Sequence, residues 1–76
     1  MRSELIRALK AHATGHIAKH KANVEIYLNH PVGIGEHQDI QTAIEEELEE
    51  IANYHDKLEM LVKYFPKTEE KESDDA

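Results

Sequence analysis

The segment that most constrains this chain spans residues 29–37, between two long stretches with helical periodicity. It holds two of the three glycines and one of the two prolines of the sequence. Pro31 disfavours a helical conformation at His30 and lacks an amide hydrogen, while Gly33 and Gly35 allow positive φ angles. We therefore expect the chain to reverse here and form an antiparallel two-helix hairpin.

The first helix is predicted over residues 3–29, with Ser3 as its N-cap and Glu4 in its first turn. Apolar or small residues recur at helical spacing, with histidines in the gaps: Ile6, Leu9, Ala13, His16, Ile17, His20, Val24, Tyr27 and Leu28. Gly15 costs ~1 kcal/mol relative to alanine inside a helix. Either a bulky neighbour approaches closely there, or a local weakness is tolerated.

The second helix is predicted over residues 38–65, and Pro66 is expected to end it. Positions 44, 48, 51, 55, 58, 62 and 65 follow a 4-3 spacing typical of a packed helix. Ile40, Tyr54 and Leu61 make this stripe wider than one partner helix can cover. We therefore predict an all-α hairpin that dimerises into a four-helix bundle.

The bend also predicts which residues face one another across the hairpin. If it is centred near residue 34, facing positions have numbers that add to about 68. Most of the resulting pairs are apolar or half-apolar: Val24 with Ile44, His20 with Leu48, Ile17 with Ile51, Ala13 with His55, Lys10 with Leu58, and Ile6 with Val62.

Charge divides the chain into two unlike halves. Residues 1–35 carry five basic and two acidic residues, hence +3, whereas residues 36–76 carry four lysines and fourteen acidic residues, hence −10. A basic first helix beside an acidic second helix explains this division. Nucleic-acid binding is disfavoured because the acidic half would repel phosphates.

Length and composition indicate a single small domain over residues 1–66, followed by a tail over residues 67–76. The tail is polar and acidic, and we expect it to be disordered. The alternative is an arm that engages a basic partner. The sequence has no cysteine, no apolar run long enough for a membrane span and no secretory signal, so we expect a cytoplasmic protein.

Six histidines in 76 residues suggest a second possibility. His12, His16 and His20 lie at i, i+4 and i+8 on one helix face, and the register places His55 opposite. His12, His16 and His55, with His20 as a further candidate, could hold zinc or another transition metal. Otherwise they hydrogen-bond across the interface or lie solvated at its edge, and their titration makes stability depend on pH.

Four residues are candidates for partner binding. Val32 and Ile34 are apolar in the bend, so they either cover the end of the hairpin core or dock a partner. Glu47 falls within the apolar stripe and is expected to meet a lysine of the first helix or of a second subunit, and Tyr54 fills a gap in the stripe. The glutamates of residues 45–50 form a solvated face, a docking surface for a basic protein, or a nucleic-acid mimic.

Catalytic patterns are lacking in the sequence. We find no serine, histidine and aspartate at the spacing of a nucleophile, and the glycines at 33 and 35 lack the preceding strand of a dinucleotide-binding loop. We expect neither enzymatic activity nor a cofactor.

The segment from His16 to Phe65 resembles a small protein of tailed bacteriophages, including marine T-even-like ones. The likeness is greatest in residues 29–37 and in Asp39 and Ile40. The resemblance implies a helical protein without an assigned activity, and it supplies no catalytic or binding residue. It further implies an accessory or virion-associated role, in host cytoplasm or virion. The predicted function is a non-enzymatic interaction or structural module that binds itself, and a host or phage protein besides.

Overall fold

The computed structural model describes residues 1–29 and 37–66, with the side chains of residues 37 and 38 left out. Regular structure in these ranges consists of two α-helices, α1 (Arg2–Asn29) and α2 (His37–Tyr64), each of 28 residues. Each is about 42 Å long at 1.5 Å per residue. Contacts between Arg2 and Pro66 and between His20 and Glu47 show that the helices are antiparallel. The predicted all-α hairpin is confirmed.

The helix ends agree with the prediction to within one residue, but Ser3 is not the N-cap. Helix α1 begins at Arg2, and the amide of Leu5 donates to the carbonyl of Met1 at 3.0 Å, so Ser3 already lies in the first turn. Helix α2 ends at Tyr64, after which the Phe65 amide donates to Leu61 at 3.0 Å. Pro66 ends the helix as predicted, since it has no amide hydrogen and restricts the residue before it.

The register is close to the predicted one. Both terminal nitrogens of the Arg2 guanidinium donate to the Pro66 carbonyl at 3.4 Å, and these residue numbers add to 68. His20 meets Glu47, whose numbers add to 67, rather than the expected Leu48. A shift of one residue therefore changes which side chain faces α1, because successive residues lie 100° apart around a helix.

The core between the helices is thinner than the periodicity predicts. Only Ile6 and Ala13, at 6% and 3% exposure, are buried among the described residues. Leu48, Val62 and Phe65 were predicted to face α1, yet they are 50%, 56% and 52% exposed. One helix covers only a narrow stripe of another, so the outer rows of α2 have no neighbour in the hairpin.

Two further expectations concern the surface of the hairpin. A Cβ atom added at Gly15 would meet nothing within 4 Å, so the described chain shows no bulky neighbour there. The opposite charges of α1 and α2 form few contacts: across the described ranges, no lysine or arginine of one helix lies within ion-pair distance of a carboxylate of the other, and the hydrogen bond between His20 and Glu47 is an ion pair only when His20 is protonated. Neither α1 nor α2 has a stretch long and apolar enough to cross a membrane.

Candidate functional site

The middle of the hairpin carries polar and aromatic side chains where its ends carry apolar ones. His12, His16 and His20 lie four residues apart and so follow one side of α1, while Glu47 and Tyr54 lie seven apart on the facing side of α2. We call these five residues the histidine cluster. The sequence predicted that the three histidines share one face of α1. The structure shows that Glu47 and Tyr54 are the residues of α2 that face them.

The rings of the histidine cluster contact one another in a continuous group. His16 lies parallel to Tyr54, with ring centroids 4.4 Å apart and planes at 12°. The His12 ring is tilted at 53° to His16, with centroids 4.4 Å apart, and lies edge-on to Tyr54, with centroids 5.8 Å apart, while the centroids of His16 and His20 are 5.9 Å apart. Such aromatic pairs contribute about 0.5–1.5 kcal/mol beyond the area they bury. His16 and His20 are half-buried and therefore fill the helix interface as flat rings as well as polar groups, whereas His12 is exposed at its edge.

Glu47 is held by two side chains of α1. Its Oε1 atom lies 2.6 Å from Nδ1 of His20, and the side-chain amide of Asn23 donates to the same oxygen at 3.1 Å. The side chains of His20 and Glu47 are only 13% and 18% exposed. The hydrogen bond from His20, followed by that from Asn23, lowers the pKa of Glu47. Within the hairpin, Glu47 thus meets a histidine and an asparagine rather than a lysine of the first helix, and its contact with a lysine of a second subunit stays a prediction.

His16 has an unusual environment. Its Nδ1 atom is buried and has no hydrogen-bond partner among the described residues. Burial lowers the pKa of His16 most, followed by the neighbouring His12, Lys19 and His20. The pKa therefore lies below its ordinary value of 6.5, and the neutral ring is the form that this environment favours at neutral pH.

The three proposed zinc ligands do not converge. Tyr54, not His55, lies against His12 and His16, because His55 is one position further round α2. His55 is exposed and lines a separate groove with Leu58, Glu59, Met60, Val62 and Lys63. Among the described side chains of residues 1–29 and 39–66, no three histidine or acidic groups are placed to hold a metal ion. His12 and His16 remain adjacent, and zinc binding stays a prediction.

The four partner-binding candidates have different outcomes. Glu47 and Tyr54 are both engaged within the hairpin, and Lys57 also places its Nζ atom 5.0 Å from the centre of the Tyr54 ring. Val32 and Ile34 lie outside the described residues, as does the predicted acidic tail. Four of the five glutamates between residues 45 and 50 are exposed, which leaves the interpretation of that face open.

A second feature, which the sequence did not suggest, lies at the end of the hairpin away from the bend. A groove of about 610 Å³ runs there between the two helices. It is lined by Met1, Arg2, Leu5, Ile6, Leu9, Leu61 and Phe65, and we call it the open-end groove. Leu9 and Phe65 belong to the predicted apolar stripes of the two helices, but in the structure they line this groove and are each 52% exposed. The available signal was the i, i+4 spacing of Met1, Leu5 and Leu9, which marks a second apolar row on α1.

Comparisons with protein-family models, with curated proteins and with solved structures found no match to this chain.

Proposed function

We propose that this chain is a non-enzymatic helical interaction module that acts as a homo-oligomer, with two hairpins packed as a four-helix bundle. One observation carries the proposal: many large apolar side chains lie on the outside of the hairpin. Among the described residues two are buried, whereas nine large hydrophobic residues are at least half exposed: Met1, Leu5, Leu9, Ile26, Leu28, Leu48, Val62, Tyr64 and Phe65.

The energetic reason is the small size of the core. Burial of apolar surface contributes ~25 cal/mol per Å², and small domains need nearly all of it to balance the entropy of folding. Ile6 and Ala13 supply little such surface. A second hairpin that covers the exposed rows would add the missing burial, in the way that four-helix bundles cover each of their helices.

The resemblance to a phage protein family supports an accessory or virion-associated role for such a module. In that setting the bundle presents its remaining surface, including the exposed glutamates of α2, to a host or phage protein.

The proposal is tested by the mass of the purified protein in solution. Light scattering coupled to size exclusion, over a hundredfold range of concentration, should give twice the chain mass of 8.7 kDa. The thermal midpoint should rise with protein concentration, because association stabilises the folded state by mass action. A monomer with a concentration-independent midpoint throughout this range would refute the proposal.

A further inference from the structure

We infer that a second copy of this chain packs on one particular side of the hairpin, the side that carries the open-end groove and the histidine cluster. The two copies point the same way, so that α1 of each lies antiparallel to α2 of the other. The inference rests on the proposed self-association and adds which surface forms it. We call this side the cluster flank.

The cluster flank has the spacing of a helix-packing surface on both helices. On α1 it follows positions 5, 9, 12, 16, 19, 23 and 26, and on α2 positions 43, 47, 50, 54, 57, 61 and 64. Both series alternate steps of three and four residues, as rows that pack against a neighbouring helix do. Asn23, Glu47 and Tyr54 in these rows also contact the other helix of the hairpin. The rows therefore form the edge of the hairpin interface, and their exposed members, such as Leu5 and Leu9, are available to a second copy.

Exposed apolar surface is concentrated on the cluster flank. Six of the nine exposed large hydrophobic residues lie on it, four because they line the open-end groove and Ile26 and Tyr64 by helical position: Met1, Leu5, Leu9, Ile26, Tyr64 and Phe65. Leu28, Leu48 and Val62 lie on the opposite side. Each of these six side chains is more than half exposed, so together they supply apolar surface toward the ~800 Å² that each partner buries in a standard interface.

The groove on the opposite side is more polar than the open-end groove. It is lined by His55, Glu59 and Lys63 beside its apolar residues. Burying these three groups carries a desolvation cost. The open-end groove has one charged residue, Arg2, whose guanidinium already donates to Pro66.

Charge complementarity identifies the occupant as a second copy. Helix α1 carries five basic and two acidic residues, and α2 carries two lysines and eight acidic residues. Among the described residues, no lysine or arginine of one helix pairs with a carboxylate of the other. These opposite charges are free to pair between copies, and the antiparallel arrangement places each basic α1 against an acidic α2.

One pair of residues shows this complementarity on the cluster flank. Burial lowers the pKa of His16 most, and the charges acting on its ring include Lys19, which lowers the pKa, and Glu50, which raises it. Lys19 and Glu50 thus lie on the two helices near the same ring. If the second copy keeps the hairpin's own register, its Glu50 lies opposite Lys19, since these numbers add to 69.

A two-fold axis along the hairpin makes this surface self-complementary. A closed dimer uses the same patch on both copies, so the patch must match itself after rotation. Here the rotation brings the open-end grooves of the two copies together. It also places the α1 row of each copy against the α2 row of the other. A partner of a different kind would need an apolar surface to meet the open-end groove, an acidic surface to meet α1 and a basic surface to meet α2.

The first experiment compares two glutamate substitutions at residues of similar exposure. Leu9→Glu lies on the cluster flank and Val62→Glu on the opposite side, at 52% and 56% exposure in the wild type. Light scattering should show Leu9→Glu as a monomer or with a dimer Kd raised at least tenfold, and Val62→Glu as a dimer like the wild type. Helix content by circular dichroism controls for folding.

The outcomes separate the two proposals. If Val62→Glu dissociates and Leu9→Glu remains a dimer, the cluster flank is wrong while self-association stands. If the wild type is a monomer at every concentration, the proposed function and this inference both fail.

A charge exchange keeps the inference testable if Leu9→Glu does not fold. Lys19→Glu and Glu50→Lys should each raise the dimer Kd severalfold, and the double variant should return it to within about twofold of the wild type. Lys21→Glu, at an exposed position on the other side of α1, is the matched control and should leave the Kd unchanged. Equal weakening by all three single variants without rescue in the double variant would overturn the antiparallel placement.

Discussion

Replacing Glu47 by alanine removes the one acceptor that holds two side chains of α1 to α2. Its Oε1 atom accepts from His20 at 2.6 Å and from Asn23 at 3.1 Å, in a region where the His20 and Glu47 side chains are less than one-fifth exposed. A hydrogen bond to a charged group contributes about 1.5–3 kcal/mol net, and partial exposure reduces this. We expect Glu47→Ala to lower the free energy of unfolding by about 1–2 kcal/mol.

The change should be visible in a thermal melt. For a domain of this size, 1 kcal/mol corresponds to roughly 4–8 °C in Tm. Circular dichroism at 222 nm, at pH 7 and a fixed protein concentration, provides the measurement. Glu47→Gln keeps the shape and an acceptor oxygen but loses the charge, so it should cost about half as much as alanine.

A double-mutant cycle with His20→Ala isolates the contact itself. The two substitutions should be non-additive by ~1 kcal/mol, because the second removes a partner that is already lost. Glu45→Ala, at an exposed glutamate of the same helix, should stay within about 0.5 kcal/mol of the wild type. Strict additivity of Glu47→Ala and His20→Ala, or equal effects at Glu45 and Glu47, would refute the assignment of Glu47 to this contact.

Three other outcomes follow from the structure. The pKa of His16 is lowered from 6.5, so the folded state binds a proton at this ring less readily than the unfolded state does. Stability should therefore fall as the pH drops below 6.5, and the unfolding midpoint of His16→Phe should change less between pH 7 and pH 5 than that of the wild type. A wild-type midpoint that stays constant over this range would contradict the prediction. Ile6→Ala should lower the free energy of unfolding, measured in urea, by about 2–4 kcal/mol. Leu28→Ala, at a residue that is 60% exposed, should lower it by about 0.5 kcal/mol or less. Similar losses in the two variants would show that Ile6 is not a core residue. If His12 and His16 hold zinc, elemental analysis should find bound metal and chelator should lower Tm; metal-free protein with an unchanged Tm would eliminate the zinc hypothesis.

Much of the hairpin could be predicted because it depends on local rules. The prolines and glycines of the sequence predict where each helix ends, and two helices of equal length joined by a short segment have little freedom in register. This is why the contact of Arg2 with Pro66 agrees with the predicted pairing. Helix periodicity and backbone conformational limits act over a few residues and can be followed directly in a sequence.

The details of the site were less predictable because they depend on rotation about each helix axis. The predicted register places His55 opposite His12, whereas the structure places Tyr54 there, and one step of 100° around α2 separates the two. The same step decides between Leu48 and Glu47 as the neighbour of His20. Periodicity also cannot say how much of a wide apolar stripe a single neighbour covers, so the exposure of Val62 was not foreseen.

The contact between Arg2 and the Pro66 carbonyl brings the two ends of the described chain together. An affinity tag fused to the N-terminus therefore starts beside Met1 and Leu5, both of which line the open-end groove. If that groove is an assembly surface, such a tag would compete with assembly, and a tagged preparation would underestimate the dimer. The same proximity makes a circular permutant practical: a short linker from Pro66 to Met1 and a new opening between Asn29 and His37 would keep both helices and move the free ends to the far side of the molecule.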